Sequence, residues 1–180
     1  MSSACLLGKN LRSARSDIVR VFMNDFVARQ VSRSHVLSLN GGIVDVFGLF
    51  DPIGEKKWSE DWNPSIIFPP SGICQGTVFE TRGMDGKETI WVISTFDRNN
   101  RSLTYTTVTP GFKVTIIEAK CEPDGTSQTK ARVTYTVTSL SEKGNQYLDS
   151  FSEDYYSKMM THWEEAINHY LQHGYPLAHH

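Results

Sequence analysis

Residues 140–173 read LSEKGNQYLDSFSEDYYSKMMTHWEEAINHYLQH. Their spacing predicts one long helix of about 30 residues, ~45–50 Å at 1.5 Å per residue. Ser139 with Glu142 has capping-box spacing, and Ser141 is a second N-cap candidate. Gly174 followed by Pro176 supplies the stop. Apolar residues recur along two adjoining lines. The first holds Leu148, Phe151, Tyr155, Met159, His162 and Ala166; the second holds Tyr156, Met160, Trp163, Ile167 and Leu171. The combined face is wider than a coiled-coil seam and needs a large partner surface. Its Tyr, His and Met side chains fit either an adaptable core or a helix lying over a cavity.

That partner surface has to come from the strand-rich region before the helix. From residue 76 the texture turns to β, with Thr-, Val- and aromatic-rich runs at 76–81, 88–96, 103–109, 112–121 and 129–138. Each gap carries a turn signal: Gly83 with Asp85-Gly86, Asp97 with Asn99-Asn100, Pro110-Gly111, and Pro123-Asp124-Gly125. In the last run Ala131, Val133, Tyr135 and Val137 share one face, and Arg132, Thr134, Thr136 and Thr138 share the other. Short gaps make these strands sequential and antiparallel.

Upstream, a first strand falls within residues 26–39 and ends at Asn40-Gly41-Gly42. Ile43, Val46, Phe47 and Phe50 then have helical spacing, and Pro52 breaks that short helix. A second short helix or turn follows over 51–58. Trp62-Asn63-Pro64 and Pro69-Pro70 mark an irregular connection. The expected fold is α+β: an antiparallel, curved sheet of six to seven strands wrapped around one long C-terminal helix, with two short helices between strands one and two. A curved sheet cannot stay in contact with a straight helix along its whole length, so a cavity between them is expected.

Composition is that of an ordinary globular chain, with 39% hydrophobic and 21% charged residues. A net charge of −2 gives no case for nucleic acid. No apolar run reaches transmembrane length. Cys5, Cys74 and Cys121 are odd in number, widely spaced and outside any zinc pattern. They are read as free thiols of a cytoplasmic protein. Residues 1–25 are read as an N-terminal extension, and residues 1–33 are rich in Arg and Ser and poor in acids. A transit peptide has such a composition, but an ordinary basic extension is the preferred reading. Residues 26–174 are read as one domain and 175–180 as a tail.

Several stretches together resemble one branch of the START/polyketide cyclase/Bet v 1-like (SRPBCC) superfamily. They are Val46-Phe47-x-x-Phe50-x-Pro52-x-Gly54-Glu55-x-x-Trp58, Trp62-x-Pro64, Gly76-x-Val78-Phe79, and Trp91-Val92. Pro110-Gly111, Val133-Thr134-Tyr135-Thr136-x-Thr138, Gly144-Asn145 and Trp163-Glu164 continue the series. Order and spacing carry the resemblance, over roughly residues 29–174; Asp61 stands where glycine is expected. The resemblance implies the helix-grip fold and a hydrophobic ligand held between sheet and helix. Members include lipid carriers, hormone receptors, polyketide cyclases and co-chaperone domains, so the fold implies a pocket and not a chemistry.

Trp58, Trp62, Trp91, Tyr105, Tyr135, Tyr155, Met159 and His162 are the candidates for lining that pocket. Trp58 and Trp62 could gate the pocket or plug the core, and the core plug is the preferred reading. Glu55, beside Lys56 and Lys57, reads first as a solvated pair and second as a pocket carboxylate. His162 is the best titratable candidate for acid–base work, although a lone histidine on an apolar line is more often core. His169 and His173 have i,i+4 metal spacing, with His179 and His180 beyond, but no acidic or cysteine ligand accompanies them. No metal or cofactor is expected. A carrier of a lipid-like or aromatic compound is the leading reading; a cyclase-like enzyme using His162 and a Tyr, and a ligand-free interaction module, are the alternatives, and a homodimer stays open.

Overall fold

The computed structural model describes residues 26–83 and 86–178. The N-terminal extension, Cys5, His179 and His180 lie outside the described residues. Seven strands form one antiparallel sheet: β1 (Gln30–Leu39), β2 (Ser65–Phe68), β3 (Val78–Arg82), β4 (Glu88–Asp97), β5 (Ser102–Thr109), β6 (Lys113–Asp124) and β7 (Gln128–Ser139). Their order across the sheet is β1-β7-β6-β5-β4-β3-β2. Two short helices, α1 (Ile43–Phe47) and α2 (Pro52–Glu55), connect β1 to β2. The chain ends in α3 (Glu142–Ser150) and α4 (Glu153–His173).

Strand β2 falls in the stretch read from sequence as an irregular connection. It is four residues long, shows a register irregularity against β3, and exposes Ile67 and Phe68. A short edge strand without alternating burial leaves no period-2 signature.

The alternation along the longer strands builds the core. Leu103 and Tyr105 on β5, Ile117 and Ala119 on β6, and Ala131, Val133 and Val137 on β7 are buried on one face. Register places Tyr105 opposite Ile117, and Ile117 opposite Tyr135, so a row of large side chains crosses the sheet. Gly111 and Gly125, with φ of 65° and 78°, occupy the left-handed turn positions between β5, β6 and β7.

The long helix is two helices. Phe151 closes α3 with ψ of 58°, outside helical values. Ser152 then caps α4, accepting a hydrogen bond from the Tyr155 N–H at 3.1 Å. Glu153 and Asp154 fill the first turn of α4, where acidic groups complement the helix dipole. The α3 cap is Ser141, which accepts from the Gly144 N–H. Ser139 instead ends β7, fully buried, and donates to the Asn145 side-chain oxygen at 2.6 Å. Gly174 closes α4 in the left-handed conformation.

Helix α4 lies on the sheet through the second apolar line. Tyr156, Met160 and Ile167 have no exposed surface. The Tyr156 hydroxyl donates to the Val133 carbonyl at 2.9 Å, pinning the helix to β7. Tyr156→Phe should cost about 1 kcal/mol, the ordinary net value of one intramolecular hydrogen bond; urea-unfolding midpoints will measure it. The helix also shields the edge strand. Asn168 donates to the Ser38 carbonyl at 3.0 Å and accepts from the Asn40 N–H at 2.8 Å, while Glu164 accepts from the Ser38 N–H at 2.7 Å. These side chains satisfy edge groups that would otherwise invite another strand.

Candidate functional site

Where the sheet curves away from α4, a cavity of about 200 Å³ opens in the core. Its sheet wall comes from inward positions of four neighbouring strands: Trp91, Tyr105, Ile117 with Ala119, and Val133 with Tyr135. Trp163 of α4 faces them. Phe50, Glu55 and Trp62, from the segment that carries the short helices, complete the enclosure. Trp62, Trp91, Tyr135 and Trp163 are only half-buried although they lie between sheet and helix; part of their accessible surface is cavity wall.

The aromatic walls are rigidly backed. Trp62 packs edge-on to Trp91 at 5.2 Å, Trp91 stacks on Phe79 at 5.4 Å, and Tyr105 meets Trp91 edge-on at 5.6 Å. On the other side Trp163 packs against Trp58 at 5.2 Å and Tyr135 at 6.3 Å. Three polar ends are tied into the wall. Trp62 Nε1 donates to the Pro52 carbonyl, Trp91 Nε1 to Thr81 Oγ1, and the Tyr105 hydroxyl to the Phe50 carbonyl, all at 2.8–2.9 Å. The Glu55 carboxyl, the Tyr135 hydroxyl and the Trp163 indole N–H make no hydrogen bond to a described residue. Buried polar groups ordinarily find partners, so these three remain for an occupant.

Glu55 owes its position to a tight turn. Asp51 caps α2, accepting from the Ile53 and Gly54 N–H groups at 2.9 and 2.7 Å, and Pro52 occupies the first turn. Gly54 packs directly on the Gly48 carbonyl at the end of α1, where a side chain would not fit. The next residue, Glu55, is thereby turned inward while Lys56 and Lys57 stay in solvent. Burial, and secondarily the negative charge of Asp51, push the Glu55 carboxyl up to about 8. It is therefore mostly a neutral acid at pH 7. Burial first, then the proximity of Glu55, raise both Tyr105 and Tyr135 well above the usual phenol value.

Of the residues singled out from sequence, Trp62, Trp91, Tyr105 and Tyr135 meet at this wall. Trp58 stands behind it, buried, donating through Nε1 to the Leu49 carbonyl at 2.9 Å. Tyr155, Met159 and His162 are not at the cavity. Tyr155 is 50% exposed and His162 is exposed, while Met159 is half-buried at the edge of the core. At ~100° per residue, His162 sits roughly 100° round the helix from Trp163, and it is Trp163 that faces the sheet. Two adjoining lines gave the width of the apolar face but not its centre. Val133 was already on the inward alternation of β7; Phe50, Ile117 and Ala119 carried no chemical signal.

A larger concavity, about 670 Å³, opens to solvent beside the end of α4, near Asn40, Asn168 and His169. It is a surface dip, and its Asn168 is engaged with the edge strand. His169 and His173 pack ring against ring at 4.5 Å, and no group of three metal-binding side chains occurs among the described residues. Cys74 and Cys121 are free; burial pushes the Cys121 thiol up to about 12.

No protein-family profile matches the chain, and no curated protein matches it in sequence. Solved structures do. Norcoclaurine synthase from Thalictrum flavum superposes with a TM-score of 0.61 at 12% identity, over 96% of this chain and 99% of that one. The same enzyme has been solved in complex with dopamine and hydroxybenzaldehyde. Ara h 8.0201 superposes with a TM-score of 0.57 at 13% identity, over 80% of this chain and 99% of that one. A Rhizobium loti protein gives 0.54 at 14% identity, over 79% and 98%. The chain has the Bet v 1-like helix-grip fold. In the Bet v 1-like arrangement seen here, the cavity lies between the sheet and the C-terminal helix, closed at one side by the α1–α2 segment.

Proposed function

We propose that the protein binds a small aromatic compound in the cavity between sheet and α4. The observation that carries this reading is an enclosed space of about 200 Å³ walled by six aromatic side chains and holding a buried, unpartnered carboxyl. An apolar cavity of ~150 Å³ takes up one benzene molecule, so this one suits a single ring with a short substituent. Drug-sized ligands need ~300 Å³ or more, which argues against a long-chain lipid. The Bet v 1-like norcoclaurine synthase, crystallised with two single-ring compounds, supports the size class.

Ala119→Phe tests the site, because Ala119 is buried at the cavity wall and a ring there occupies the same space. Saturation-transfer NMR with p-cresol should register binding to the parent and at least a tenfold loss in a folded Ala119→Phe variant. Equal binding by the two would remove the cavity from consideration and favour an interaction module. Co-purified material, extracted and weighed by native mass spectrometry, identifies the natural ligand.

A second reading, catalysis, rests on Glu55. A buried acid titrating near neutrality is suited to general acid–base work. In that reading Glu55 and Tyr135 replace the His162 pair expected from sequence. Among the described residues no helix is long and apolar enough to cross a membrane.

A further inference from the structure

Building on that reading of the cavity, we infer that its ligand is a cation: a small aromatic amine whose ammonium group sits at Glu55. The argument is from charge and geometry. No Lys, Arg or His lines the cavity. The ionisable side chains that do, Glu55, Tyr105 and Tyr135, are all acids, and Asp51 stands behind Glu55. Exposed Lys56 and Lys57 point their charge to solvent rather than to the carboxyl. The nearest thing to compensation that Glu55 has is two phenols. A ligand carboxylate or phosphate would find no cationic group in the wall to pair with. An ammonium group would meet a carboxyl with free lone pairs, the free Tyr135 hydroxyl as a second acceptor, and aromatic rings, whose π faces attract cations.

The chemistry balances without any further reactant. The amine enters already protonated, and Glu55, protonated in the empty cavity, releases its proton to the buffer as the ion pair forms. Burial holds the carboxyl up at about 8, so the proton is present before binding, and the ammonium charge beside it lowers that value and drives the release. The titratable groups facing Glu55 are Asp51 from its own segment, Tyr105 from β5 and Tyr135 from β7; α4 contributes only Trp163 to this wall.

The test compares three probes of nearly equal size: phenethylamine, 2-phenylethanol and phenylacetate. Isothermal titration at pH 7, in phosphate and in Tris, gives affinity and proton release together. Phenethylamine should bind at least about tenfold more tightly than 2-phenylethanol, with phenylacetate weakest. Close to one proton should leave per amine bound and none per alcohol. In Glu55→Gln the amine-to-alcohol affinity ratio should fall to about one and proton release should vanish. If the alcohol matches or exceeds the amine, or the amine binds without proton release, the cavity takes a neutral ligand and the inference is overturned while the cavity reading stands. If none of the three probes binds, both fall together.

Discussion

Replacing Glu55 by glutamine should make the protein more stable at pH 8 than the parent, and about equally stable at pH 4. The carboxyl titrates at about 8 in the fold against an ordinary 4.5. Between those values the native state holds a proton that the unfolded chain has released, so parent stability falls as pH rises. Below 4.5 both states are protonated and the carboxyl contributes nothing to the slope. At ~1.4 kcal/mol per tenfold change in proton affinity, the step from 4.5 to about 8 amounts to of order 5 kcal/mol. Glutamine keeps the shape and the hydrogen-bonding capacity but cannot ionise. Lys113 does not blur the comparison: burial pushes its ammonium down to about 8, so its opposite slope begins only above that pH. Urea-unfolding free energies at pH 5, 6.5 and 8 should fall steeply for the parent and stay nearly level for Glu55→Gln. Parallel curves would mean that the carboxyl is solvated and that the cavity has no polar pole.

The fold was legible because its signals are local. Inward and outward residues alternate through β7, and turn residues such as Pro110-Gly111 and Pro123-Asp124-Gly125 sit between strands, so neighbouring strands could be paired in order. What escaped was set by contacts across the chain. Ser152 with Glu153 and Asp154 is a good helix start, yet it lies inside a continuous helical periodicity, and only the backbone at Phe151 reveals the break. Trp163 and His162 are neighbours on one helix, and which of them meets the sheet depends on how α4 is rotated over β7. The same holds for the cavity. Its aromatic wall could be drawn up from strand aromatics, since large inward side chains on adjacent strands must converge. Its polar pole was only the second reading of Glu55, because a carboxylate beside two lysines looks first like surface, and the contact that turns it inward joins two glycines on different helices.

That contact can be broken on its own. Gly54→Ala should destabilise the protein by about 3 kcal/mol or more, as expected when backbone must move to admit an atom. A Cβ at Gly54 would lie 1.8 Å from the Gly48 carbonyl oxygen and 2.9 Å from the Leu49 Cα. Both obstacles are backbone, so no rotamer change relieves the overlap. Gly48→Ala is the matched control. Its φ is −65°, ordinary for any residue, and the nearest atom to its Cβ would be 3.5 Å away; the expected change is within ~0.5 kcal/mol. The consequence reaches the site. If Gly54→Ala still folds, α2 must lift from α1 and carry Glu55 toward solvent. Its carboxyl then returns toward 4.5, and the steep loss of stability between pH 5 and 8 flattens. Denaturant melts of both variants at those two pH values separate the effects. A Gly54→Ala protein within about 1 kcal/mol of the parent, with the parent's pH slope, would show that the α1–α2 contact does not hold Glu55 in the cavity.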